Sequence, residues 1–211
     1  MSPLMGETQA GQIVYQGLWR NNAIFRQVLG ICSTLAVTNL LLNTVVMCAA
    51  LTVATGLSCM TVSWMRKSMP RNIRMMVETL IIAFYVILFD MALRAYWPEM
   101  SRQLGPYVGL IITNCIIMGR TEAYALSNPP IPSLLDGLFN GLGYSFVLML
   151  VAVLREPTGL GTLLGIPVPY FSGPYWDRWV LMAMPPGAFF TLAGFIWMFR
   201  AIGLMRGEEA A

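Results

Sequence analysis

The stretch Val108–Ala123 reads VGLIITNCIIMGRTEA, and it places Asn114 and Cys115 side by side within an otherwise apolar run. The charge-free segment around it extends only from Gln103 to Gly119. A helix needs ~20 apolar residues to cross the hydrocarbon core of a bilayer, so this segment is short for a span. Gly105, Pro106, Gly109, Thr113 and Asn114 are expected to interrupt it, giving a short or broken helix. The same misfit occurs earlier, where no charged residue falls between Gln27 and Met65. That run is too short for two spans of ~20 residues plus a turn and too long for one helix. It reads as a short helix over about Val28–Val37, a turn near Thr38–Asn43, and then a full helix.

Working outward, the 211 residues are 57% hydrophobic and only 11% charged, where an ordinary soluble domain carries about 25% charged residues. Such a chain is an integral membrane protein, and the lipid bilayer is its first partner. Span-length apolar stretches recur at Val45–Met65, Met75–Trp97, Leu134–Leu154 and Trp179–Phe199. The short alternating segments of a transmembrane barrel are missing from the pattern. Nothing in the polar first 27 residues, which include Glu7, resembles a cleaved signal peptide. The net charge of +3 is small and dispersed, which gives no basis for nucleic-acid binding.

Two short, Gly- or Pro-interrupted segments, each followed by two longer ones, fit an inverted-repeat layout, in which such segments point to the functional site. The expected fold is an all-α membrane protein of six transmembrane helices, arranged as two inverted three-helix repeats with short or broken first and fourth helices. Its parts are a cytoplasmic N-terminal segment (1–23), a first repeat (24–97), a second repeat (104–200) and a C-terminal tail (201–211). The sequence echo between the halves is faint: CSTLAVTN (Cys32–Asn39) and CIIMGRTE (Cys115–Glu122) share the Cys and a Thr six residues on. Six crossings put both termini on one side. Arg20, Arg26, Arg66, Lys67, Arg71, Arg74, Arg120, Arg200 and Arg206 fall with them, against Arg94, Arg102, Arg155 and Arg178 opposite. This bias places both termini in the cytoplasm. Trp19, Trp64, Tyr96, Trp97, Tyr175, Trp176 and Trp179 lie near expected span ends, as interfacial anchors do.

SNPPIPS (Ser127–Ser133) reads as a stiff non-helical connector with Ser133 as the N-cap of the fifth helix. The Gly- and Pro-rich Glu156–Tyr175 reads as a loop on the outer face, and Pro185-Pro186 predicts a kink within the last span. Gly105/Gly109 and Gly137/Gly141 both form GxxxG, a pattern that suits close helix packing.

The chain contains no histidine, which removes His-ligated haem, Rieske centres, HExxH zinc sites and His-activated nucleophiles. Metal chemistry here would use thiolates or oxygens. Of the four cysteines, Cys48 and Cys59 share one helix and lie roughly 16 Å apart along it, which suits buried packing residues. Cys32 and Cys115 lie in the two interrupted segments and could face one another across the repeat axis. They read as a functional pair, as packing residues, or as a disulfide, the last disfavoured by membrane depth. An iron-sulfur cluster normally takes four cysteines, so if these two are ligands a second subunit supplies the rest. The membrane-embedded acids are Glu78, Asp90 and Asp136. Intramembrane carboxylates suggest ion pathways, making Asp90 and Asp136 candidates for ion coupling. Equally, Asp90 can pair with Arg94 and Asp136 can favour a helix N-terminus. The residues alone leave three classes open: an electron-transfer subunit, a secondary transporter and a structural membrane subunit.

The blocks LGICSTLAVTN, VGLIITNCIIMGRTEAYA and NPPIPSLLDGLFNGLGYSFVLM resemble the D-subunit family of bacterial Na+-translocating NADH:quinone oxidoreductases, over nearly the whole chain. GLWRNN (Gly17–Asn22) and AMPPGAF (Ala183–Phe189) lean toward the related E subunit of Rnf-type ferredoxin:NAD+ oxidoreductases, while the central blocks favour the quinone reductase. The resemblance implies a subunit of the bacterial inner membrane that is inactive alone. It pairs with a homologous membrane subunit of inverted topology, and each contributes two intramembrane cysteines to a shared 2Fe-2S cluster. Carried onto this sequence, those cysteines are Cys32 and Cys115. The cluster would relay electrons within a multi-subunit redox complex coupled to Na+ transport. FAD, FMN, riboflavin and quinone are expected only in other subunits. Thr34, Thr113 and Asn114, or nearby peptide N–H groups, are then the expected hydrogen-bond donors that help satisfy the site and tune its potential.

Overall fold

The computed structural model describes residues 29–163, 166–167 and 184–205. The order is α1 (Ile31–Val37), α2 (Leu41–Met65), a 3-10 turn (Arg71–Ile73), α3 (Arg74–Tyr96), α4 (Pro98–Ile112) and α5 (Cys115–Arg120). A π-helical turn (Thr121–Ala125) leads to α6 (Pro130–Leu160), a minimal hairpin of β1 (Thr162–Leu163) and β2 (Ile166–Pro167), and α7 (Pro185–Met205). Three helices are long and apolar enough to cross a membrane, α2, α3 and Pro130–Gly159 of α6; α7 carries a shorter apolar stretch, Pro185–Phe199. The expected segment 1–23, Trp19, Tyr175, Trp176, Trp179 and the tail beyond 205 lie outside the described residues.

Antiparallel packing of α2 against α6 forms the centre, and small residues make it close. A Cβ at Gly137 would lie 3.0 Å from the Thr55 carbonyl oxygen and 3.1 Å from Gly56 Cα; one at Gly141 would lie 3.0 Å from Thr52 Cα. Backbone approach of this kind is how helices associate where lipid removes the hydrophobic drive. Around the seam Met47, Leu51, Ile82, Ile116, Ile117, Tyr144 and Leu148 are fully buried. Helix α3 lies at the periphery, with Leu80, Phe84, Leu88 and Met91 exposed. The other GxxxG pair differs: a Cβ on Gly105 or Gly109 meets nothing within 4 Å, so this face of α4 packs on nothing in the described chain.

Both expected breaks are present. The first follows α1, at Thr38–Leu40, and Leu41–Asn43 already belong to α2 rather than to the turn. Two adjacent buried side chains of α6 hold it: the Leu41 N–H donates to Glu156 Oε2 at 2.8 Å, while Arg155 donates to Thr38 Oγ1 and to the Met184 carbonyl. A carboxylate at the start of α2 also complements its dipole. The second break is confined to Thr113 and Asn114, because Gly105, Pro106 and Gly109 lie inside a continuous α4.

Several readings based on proline are corrected. Helix α6 starts at Pro130, so the second half of SNPPIPS is helical, and Ser133 is an interior residue whose Oγ donates to the Pro129 carbonyl at 2.9 Å. Pro130 and Pro132 occupy the first turn, where backbone N–H groups have no helical acceptor and proline costs no hydrogen bond. For the same reason Pro185 and Pro186 open α7 instead of kinking it. At the other end α6 runs past Glu156 to Leu160, so the expected loop begins only at Gly161, a left-handed C-cap with φ 71°.

Candidate functional site

Both cysteines of the interrupted segments sit at helix starts, Cys115 directly after the second break and Cys32 six residues before the first. Cys32 is the second residue of α1 and Cys115 the first of α5. Both are exposed, whereas Cys48 and Cys59 are buried in the α2 seam. The Cys32 and Cys115 thiols lie near enough to interact electrostatically, and the peptide N–H groups of Ser33 and of Cys32 itself lie near the Cys32 sulfur. Two free thiols therefore lie near one another at the surface. No group of three or more His, Cys, Asp or Glu side chains arranged for a metal ion occurs among the described residues.

Underneath the thiols the two helix starts are locked together. Asn114 has an extended backbone, and its Oδ1 accepts from the Ile116 N–H at 3.0 Å, which caps α5. Its Nδ2 donates to Ser33 Oγ at 3.1 Å, on the residue next to Cys32. Ser33 Oγ is in turn hydrogen-bonded to the Tyr144 hydroxyl, which donates to the Gly30 carbonyl at 2.8 Å. Gly30 caps α1 with φ 82°, a conformation that disfavours any residue with a Cβ. Space requires glycine as well: a Cβ there would lie 2.7 Å from both Ile116 Cδ1 and Tyr144 Cε2.

The three expected neighbours fare differently. Asn114 bridges the two cysteine-bearing starts, and Thr34 reaches the same network by donating to the Gly30 carbonyl at 3.1 Å. Thr113 is exposed and donates to Gly109 of its own helix at 3.0 Å. Ser33 and Tyr144 escaped the sequence reading. Their sequence signals are a hydroxyl beside Cys32 and one phenol in the middle of α6.

The acids lie elsewhere. Asp90 pairs with Arg94 at 2.9 Å, as its spacing suggests, accepts from Ser101 Oγ at 3.3 Å, and borders a small apolar-lined cavity between α2, α3 and α4. Asp136 is not a helix-start acid, because α6 begins six residues before it. It accepts from Arg120 Nε at 2.9 Å, from Arg120 Nη2, and from Asn140 Nδ2 at 3.0 Å. This pair closes the far end of α5, roughly 8 Å along the axis from Cys115. Glu78 is buried, with one oxygen 3.3 Å from Thr121 Oγ1 and the other 4.0 Å from Arg74 Nε.

Comparison with known proteins covers nearly the whole chain. A family model described as "Rnf-Nqr subunit, membrane protein" matches residues 10–196. The chain is 46% identical over 191 residues to the D subunit of the Na(+)-translocating NADH-quinone reductase of Pseudomonas paraeruginosa, covering 90% of this chain and 86% of the relative. The D subunits of the same reductase from Serratia proteamaculans (48% over 187 residues, 88% and 90% covered) and Tolumonas auensis (45% over 196 residues, 92% and 91% covered) are similar to it as well. With a family model and relatives thus matching it along almost its full length, the chain belongs to the Rnf-Nqr subunit family of membrane proteins.

Proposed function

We propose that this chain is the D subunit of a bacterial Na+-translocating NADH-quinone reductase, and that Cys32 and Cys115 supply half the ligands of a 2Fe-2S cluster completed by a homologous subunit of opposite orientation. The names of the relatives support the complex. The cluster rests on one observation: two of the four cysteines are exposed and adjacent at paired helix starts. That donor set fits half a cluster, since two neighbouring exposed thiols are present and a larger group of ligands is not found among the described residues.

When bound, the cluster supplies a one-electron carrier. This chain's own residues hold the thiols, exclude water through Ile116, Ile117 and Tyr144 behind them, and bury Thr38 and Asn114 of the two breaks against protein, where irregular backbone is tolerated within a membrane. The open face of α4 at Gly105, Gly109 and Thr113 leads directly to Cys115, and small residues there allow a partner helix to approach closely. The proposed topology keeps six crossings in two inverted halves, with both termini cytoplasmic. Asp90 and Asp136 are the proposed ion-coupling acids. Both are engaged by arginines, so ion passage would require those pairs to open. Asp90→Asn is expected to weaken the Na+ activation of quinone reduction, and an unchanged Na+ dependence would remove Asp90 from that role.

Iron content tests the shared cluster. The chain purified alone is expected to hold no stoichiometric iron, and its complex with the membrane partner to gain two iron atoms per pair. A chain that carries a full cluster by itself, or a complex without one, contradicts the proposal.

A further inference from the structure

The network beneath the thiols has a direction, because the groups at its two ends cannot reverse. Asn114 Oδ1 is occupied by the Ile116 N–H, which fixes the amide so that Nδ2 faces Ser33 and can only donate. At the other end the Gly30 carbonyl can only accept. Between them stand two hydroxyls. Ser33 Oγ accepts from Asn114 Nδ2 and is hydrogen-bonded to Tyr144 Oη, and Tyr144 Oη donates to the Gly30 carbonyl. Ser33 Oγ also lies 3.2 Å from the Gly30 carbonyl, a second acceptor on the same side. Whichever acceptor Ser33 uses, both hydroxyl protons are taken up within the network, and neither hydroxyl has a proton left to give to a sulfur.

Tyr144 is fully buried, and its ring fills the space that any side chain at position 30 would occupy. One α6 residue therefore sets the start of α1 through the Gly30 carbonyl, and through Ser33 and Asn114 it sets the start of α5. We propose that Tyr144 and Ser33 are positioning residues that fix the separation of Cys32 and Cys115, acting on the cluster through sulfur placement and not by donating to it. The inference rests on the proposed cluster for its redox consequence, but the positioning of the thiols is a property of this chain alone.

The test uses both states. In the full-length chain expressed without its partner, the rate at which mild copper oxidation joins Cys32 to Cys115 reports their separation, with Cys32→Ala as the blank. Tyr144→Phe keeps the ring and removes only the hydroxyl. It is expected to slow this crosslink about three- to tenfold, the scale of losing a buried hydrogen bond. In the assembled complex the same variant should retain iron while shifting the midpoint potential and the EPR g-values. Ser33→Ala should produce the same pair of effects, and it decides the matter if Tyr144→Phe fails to assemble. Wild-type crosslinking rates in both variants, with wild-type potential and g-values, overturn the inference. Slowed crosslinking in a chain whose wild-type complex shows no 2Fe-2S signal supports positioning and overturns the cluster assignment instead.

Discussion

Replacing Arg120 by Ala is expected to destabilise the chain by about 3–5 kcal/mol, because it leaves a buried carboxylate without its cation. Arg120 meets Asp136 through two nitrogens, and the side chains are only 10% and 6% exposed. Asn140 donates to the same carboxylate, but a neutral amide does not offset the lost charge. The effect should reach the thiols, since Arg120 ends the six-residue helix that begins at Cys115 and ties it to α6. The measurement is the fraction of chain that remains folded and assembled after graded heating in detergent. Removing both charges together, as Arg120→Met with Asp136→Leu, should recover most of the loss, because an absent pair leaves nothing unpaired. An Arg120→Ala protein as stable as the wild type would show that the pair carries no structural weight.

The membrane character and both breaks were legible in the sequence because hydrocarbon thickness is a strict ruler: charge-free runs that fit neither one span nor two must be interrupted. Local chemistry within those runs was less legible. Gly105, Pro106 and Gly109 looked like interruptions, yet α4 accommodates all three and the chain breaks at Thr113–Asn114, where the Asn114 side chain caps the next helix. Ser133 looked like an N-cap because the prolines before it looked like loop, while first-turn positions tolerate proline without losing a bond. The two GxxxG pairs are identical as patterns, and only packing separates Gly137 and Gly141, pressed against α2, from Gly105 and Gly109, which face open space. Likewise Asp136 looked like a helix-start acid, and its arginine partner lies 16 residues away in a different helix.

For the thiols, sequence could nominate Cys32 and Cys115 by their placement in matching short segments, but not the network that joins them. Ser33 and Tyr144 are 111 residues apart, and Asn114 and Ser33 are 81 apart. No local pattern encodes contacts at that distance, since they arise only when α1, α5 and α6 converge. The Asn beside a Cys in an apolar run has a mechanical role. Asn114 starts the helix that carries Cys115 and reaches across to the neighbour of Cys32.

Loss of the cluster without loss of the complex is the second large effect expected. Cys32→Ala and Cys115→Ala each remove one exposed sulfur and no buried packing or charge, so assembly should survive while the ligand set falls below four. Cys48→Ala and Cys59→Ala, in the buried seam, should leave the cluster in place. The deciding measurement is the iron content and reduced-state EPR spectrum of the purified complex carrying each of these four substitutions. One 2Fe-2S signal should vanish in the Cys32 and Cys115 variants and persist in the other two. If all four complexes keep the wild-type spectrum and wild-type electron transfer, Cys32 and Cys115 are not ligands, and the chain is not an electron relay.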